Sequence, residues 1–74
     1  MTREQVHKRI YDMGILSSAS QRLAVEDGIM DLSRREKWSA GSLRLALKDL
    51  EEEGTITKEK RYHIQKEFFP DYSW

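Results

Sequence analysis

The chain has 74 residues, 35% of them charged and 38% hydrophobic, with 13 basic and 13 acidic side chains for a formal net charge of +0. It has no cysteine, which excludes disulfides and thiolate metal sites, and no apolar run approaching the ~20 residues that cross a bilayer. A chain this short makes one domain burying only about 60% of its unfolded surface, so modest stability is expected, helped by a partner or a second copy.

The N-terminus is polar from Thr2 to Gln5 and lacks the apolar core of a signal peptide, which places the expected location in the cytoplasm. Residues 2–13 read as a first helix: Thr2 caps it, Gln5 sits in the capping-box position, and Val6, Ile10 and Met13 recur at helical spacing. Gly14 ends it. His7 and Tyr11 lie one turn apart on a neighbouring face, where partial burial or a dimer contact explains them better than a site.

Two readings compete for residues 15–31. In the preferred one a helix starts at Ser17 or Ser18, with Gln21 completing a capping box and Gly28 closing it. In the other, residues 22–26 form a short strand followed by a Glu-Asp-Gly turn. Either way Leu23, Val25, Ile29 and Met30 are expected in the core. Residues 29–36 then make a short helix with Leu32 inward and Arg34 and Arg35 outward, and residues 37–41 a turn. Trp38 in that turn is expected to be a packing wedge between helices.

The next helix carries the firmest signal. Leu43, Leu47 and Leu50 fall at i, i+4 and i+7 beside Ala46, Ser39 or Ser42 can cap the start, and Gly54 supplies a left-handed stop after Glu53. Beyond it, Thr55-Ile56-Thr57 and Tyr62-His63-Ile64 alternate polar with apolar around the polar run Lys58-Glu59-Lys60-Arg61, which predicts a two-stranded hairpin. Ile56, Tyr62 and Ile64 would face inward, Arg61 and His63 outward. Four of the last seven residues are aromatic: Phe68, Phe69, Tyr72 and Trp74. Either this tail folds back over an open part of the core, or it docks on a second subunit or another protein.

Charge is segregated along the chain. Five basic residues and one acidic give residues 32–48 a net +4, residues 49–53 carry −4, and residues 54–66 carry +3. The expected fold class is therefore α+β: a winged helix over residues 1–66, with a three-helix core, a helix-turn-helix and a C-terminal β-hairpin wing, followed by an aromatic tail at 67–74.

Residues 31–57, running through DLSRREKWSAGSLRLALKDLEEEGTI, resemble the DNA-binding half of GntR-type regulators and, more broadly, small bacterial and phage winged-helix regulators. The resemblance rests on Leu32, on Ser39 after the turn, on Leu43-Arg44 with Ala46-Leu47, and on Leu50, Glu53 and Gly54. Lys37 stands where the family commonly has a turn glycine, and Trp38 replaces a small aliphatic residue. The family's effector domain is absent from this stretch, so no small-molecule effector is inferred.

The resemblance implies sequence-specific binding of duplex DNA by a small transcriptional regulator. Ser39, Ala40, Gly41, Ser42, Arg44 and Lys48 would enter the major groove, with Arg44 suited to a bidentate guanine contact. Arg34, Arg35 and Lys37 would hold phosphates, and Lys58, Lys60, Arg61 and His63 on the wing would reach phosphates or the minor groove. One such unit reads few bases, so useful specificity is expected to need a homodimer or a larger complex, with a protein partner reached through the aromatic tail. The alternative is a winged-helix module that binds protein through Leu45, Phe68, Phe69, Tyr72 and Trp74. No nucleotide loop, nucleophile motif or paired-histidine motif is present, so neither an enzyme, a cofactor nor a metal is expected.

Overall fold

A computed structural model describes all 74 residues as four helices with no strand: α1 (Arg3–Met13), α2 (Ala19–Arg35), α3 (Ala40–Glu52) and α4 (Lys58–Phe68). Each begins at a hydroxyl cap. Thr2, Ser18, Ser39 and Thr57 accept from the backbone N–H of Gln5, Gln21, Ser42 and Lys60 respectively, satisfying a donor that the helix itself leaves unpaired. At α1 the box is reciprocal, since the Thr2 N–H donates to Gln5 Oε1 at 2.9 Å. Gly14 (φ 69°) and Gly54 (φ 81°) take the left-handed conformation after α1 and α3, as the sequence predicts for both.

The helices pack in chain order, α1 on α2, α2 on α3 and α3 on α4. Val6 and Ile10 of α1, Val25, Ile29 and Leu32 of α2, Leu43 and Leu47 of α3, and Ile64 and Phe68 of α4 close one core, with Leu16 and Ile56 entering from the connections. The radius of gyration, 11.0 Å, is that of a well-packed chain of this length, about 11 Å.

The expected hairpin wing is overturned: residues 58–68 are helical, and the fold is all-α rather than α+β. The two alternating triplets were too short to separate period 2 from period 3.6. Arg61, Ile64, Gln65 and Phe68, all buried on α4, follow helical spacing once Arg61 is counted as an inward residue. Lys58-Glu59-Lys60-Arg61 is thus the first turn of a helix capped by Thr57, not a hairpin tip. Ile56 and Ile64 do face inward, but Tyr62 is 37% exposed and Arg61 only 4%, the reverse of what a strand requires.

The helical reading of residues 15–31 holds, with a longer helix than expected. Gly28 does not close it, and the separate helix over residues 29–36 is the C-terminal half of α2. Val25, Ile29 and Leu32 form a continuous i, i+4, i+7 stripe across Gly28, and burial of that stripe outweighs the roughly 1 kcal/mol that one internal glycine costs. Gln21 makes no capping box; its amide instead donates to the Thr55 carbonyl at 2.7 Å, tying α2 to the α3–α4 connection. Leu23, expected in the core, is 53% exposed. Lys37 is not left-handed, because no residue other than glycine has positive φ, so the turn is built from extended backbone at Glu36 and Ser39.

Trp38 is the wedge the sequence suggests. Its ring lies 5.8 Å from Phe68, edge-on, and 5.2 Å from Phe69. The Arg9 guanidinium covers the other side of Phe68 at 4.6 Å and donates to the Glu67 carbonyl, which fastens the end of α4 to α1. Trp74 donates from Nε1 to the Phe69 carbonyl at 3.1 Å. These contacts turn the aromatic end back onto the core, and α4 runs through the boundary drawn at residue 66.

Candidate nucleic-acid interface

Helices α2 and α3, joined by residues 36–39, stand where the helix-turn-helix was expected, with a longer first helix and a shorter turn than residues 29–36 and 37–41 predicted. Leu43 and Leu47 turn inward, which directs Gly41, Arg44, Leu45 and Lys48 to the outer side of α3; the first three are exposed and Lys48 is half-buried. The other proposed groove residues are occupied. Ser39 accepts from the Ser42 N–H at 3.2 Å and donates to the Ser42 hydroxyl at 2.9 Å, and Ala40 is buried. Their role here is to start the helix.

The first turn of α3 contains no acidic residue, and the N–H groups of Ala40 and Gly41 have no acceptor within the chain. A helix start of this kind attracts anions through its unpaired donors and the positive end of the helix dipole. The chain before and after it carries cations of two kinds. Arg35, Lys37, Arg44 and Lys48 make no ion pair. Arg34 meets Asp31 at 3.2 Å, with both side chains more than 60% exposed, a pair worth only about 0.3–0.5 kcal/mol and easily exchanged for a phosphate.

The four wing residues lie on α4 and do not act together. Arg61 is withdrawn: its side chain is 5% exposed, its Nε donates to Glu51 and its Nη1 donates to Gln65 Oε1 at 2.8 Å. Lys58 sits over the Tyr62 ring at 5.9 Å, Lys60 is half-buried, and exposed His63 has Nε2 3.9 Å from Glu67. Of the residues expected to meet a protein, Leu45 (62%) and Tyr72 (52%) are exposed, Phe68 is in the core, and Phe69 and Trp74 are half-buried.

On the other side of the α2–α3 pair is a groove of about 300 Å³, floored by Ala24, Gly28, Ala46 and Leu50. Asp27, Asp31, Asp49 and Glu53 line it together with Arg35. These carboxylates repel a polyanion, which disfavours phosphate approach from the groove side of the α2–α3 pair.

A second cluster escaped the sequence reading. The Glu26 side chain is 6% exposed, accepts from Arg3, and lies 2.6 Å from His7 Nδ1, while Arg3 also reaches Asp27. Burial acts to raise the Glu26 carboxyl, but the hydrogen bonds from Arg3 and His7 and their charge outweigh it and hold the group below its ordinary value. The Arg3 guanidinium is raised in turn, chiefly by its hydrogen bond to Glu26. The available signal was Glu26 itself, directly after Val25 and three residues before Ile29, hence beside the core stripe. Tyr11, paired with His7 in the sequence reading, is instead stacked under Arg22 at 5.4 Å. No group of three or more His, Asp or Glu side chains is placed to hold a metal ion, and no helix is long and apolar enough to cross a membrane.

No protein-family model matches the chain, and no curated protein or solved structure matches it either. Residues 31–57 span the last turn of α2, all of α3 and the connection after it, and the hairpin expected to follow them is replaced by α4.

Proposed function

We propose that the chain binds duplex DNA through the outer side of α3, with the α2–α3 turn resting on the phosphate backbone. The observation that carries the reading is the set of four cations without ion-pair partners, Arg35, Lys37, Arg44 and Lys48, which precede and follow a helix start free of acidic residues. Arg35 and Lys37 hold phosphates, as does Arg34 once released from Asp31. Arg44 and Lys48, one turn apart on α3, reach the groove. Arg61 takes no part, and the α4 cations are secondary. A single unit of this size reads few base pairs, so action as a transcriptional regulator requires two copies or a larger assembly on the DNA.

The test is fluorescence anisotropy with a random-sequence duplex over a salt series. Phosphates neutralised by Arg35, Lys37, Arg44 and Lys48, four before Arg34 is counted, correspond to a slope of about −3.6 in log K against log salt, a loss of roughly 150-fold between about 50 and 200 mM. On this random duplex Arg44 and Lys48 also meet phosphates at the groove walls, so the double variant Arg44→Ala/Lys48→Ala should reduce that slope by about 1.8. Absence of binding at the lower salt, or binding indifferent to salt, refutes the reading and turns attention to a protein partner at Leu45 and Tyr72.

A further inference from the structure

Phosphate binding leaves one exposed residue of α3 unused. Leu45 is 62% exposed and contributes nothing to the core, whose share of α3 is Leu43 and Leu47 on the opposite side. It lies one turn after Gly41 and three residues before Lys48, with Arg44 beside it, so all four occupy adjoining sectors of the helix surface. At Gly41 no atom stands within 4 Å of where a Cβ would be, which leaves the approach to Leu45 open at that end. An apolar side chain is thus presented on the outer side of α3, with the cations Arg44 and Lys48 on one flank and exposed Asp49 one turn further on.

In the major groove of a duplex the apolar group on offer is the C5-methyl of thymine, while guanine presents the paired acceptors that suit arginine. Duplex RNA offers neither the methyl nor a major groove wide enough to admit side chains from a helix. Given the DNA-binding reading above, on which this step rests, we propose that Leu45 is a specificity-determining residue that packs on a thymine C5-methyl. Arg44 takes a neighbouring guanine. The partner is then thymine-containing B-form DNA rather than duplex RNA.

The experiment enriches binding duplexes from a random-sequence pool, then prepares the enriched sequences with either deoxythymidine or deoxyuridine, which differ only in that methyl. Wild-type protein should bind the deoxyuridine form about fourfold more weakly for each contacted methyl. Leu45→Ala, which keeps the fold because the side chain is exposed, should bind both forms equally and as weakly as wild type binds the deoxyuridine form. Equal wild-type affinity for the two forms, with salt dependence and the Arg44→Ala/Lys48→Ala loss intact, overturns the thymine assignment and leaves phosphate binding standing. Failure to enrich any duplex at about 50 mM salt overturns both.

Discussion

Replacing Arg61 with alanine separates a helical end from a winged one, because the two put this side chain in opposite environments. On α4 the guanidinium is 95% removed from solvent, donates to Glu51 and Gln65, and lies 4.8 Å over the Tyr62 ring. Breaking a fully buried ion pair by deleting one partner costs about 3–5 kcal/mol, since the other charge is stranded. Glu51 retains 29% exposure and can recover part of its hydration, which brings the expected loss to about 2–3 kcal/mol. Total stability for a domain of this length is about 4–11 kcal/mol, so the variant remains folded near room temperature but is clearly weakened. At about 4–8 °C per kcal/mol, Tm should fall by roughly 10–20 °C when followed by circular dichroism at a helical wavelength. The double variant Arg61→Ala/Glu51→Ala should recover part of that loss, since no buried charge is then left unpaired. A surface arginine on a hairpin tip would change stability by no more than about 0.5 kcal/mol and would weaken DNA binding instead. A Tm within about 3 °C of wild type would refute the packing of α4 against α3.

Two further outcomes follow from the α1–α2 and α2–α3 contacts. Glu26 is ionised in the folded protein at pH values where the unfolded chain already binds a proton, so its contribution is full above the ordinary glutamate value, about 4.3, and disappears as pH falls through its depressed folded value. The urea midpoint of wild type should therefore drop more between about pH 6 and pH 3 than that of Glu26→Gln, and parallel decreases would contradict the clamp. At Gly28 an added Cβ would stand 3.3 Å from Leu50 Cδ1, the mobile end of a half-buried side chain that can rotate away. Gly28→Ala should gain up to about 1 kcal/mol of helix propensity and raise Tm by a few degrees; a lower Tm would mean that Leu50 has no room to move.

The helix starts and stops were legible because they are local. A hydroxyl that accepts a backbone N–H three residues on, or a glycine that takes a left-handed turn, acts within a single turn of chain, so Thr2, Gly14 and Gly54 could be placed without knowing what surrounds them, and the caps Ser18 and Ser39 could be narrowed to one of two serines each. The Leu43–Leu47 stripe of α3 was legible for the same reason: its period needs only one helix to be visible. Part of the candidate interface came with it, since an inward Leu43 and Leu47 force Gly41, Arg44, Leu45 and Lys48 outward. The aromatic fold-back onto Trp38 was one of two open alternatives, and nothing along the chain could choose between them.

What the sequence determined by itself was therefore a set of local instructions: the caps of α1 to α3, the glycine stops at Gly14 and Gly54 though not the continuation through Gly28, and which side of α3 is apolar. Only the tertiary structure decided the state of residues 54–68 and the fate of the charges. Residues 55–57 and 62–64 satisfy a strand and a helix equally well until Arg61 is known to be buried, and Arg61 can be buried only because Glu51 on α3 and Gln65 on its own helix receive its donors. Glu26 is held in the same way by Arg3 and His7, about twenty residues earlier in the chain. Whether a charged side chain faces water or the core depends on partners brought together by packing, and a one-dimensional pattern of polarity does not contain those partners.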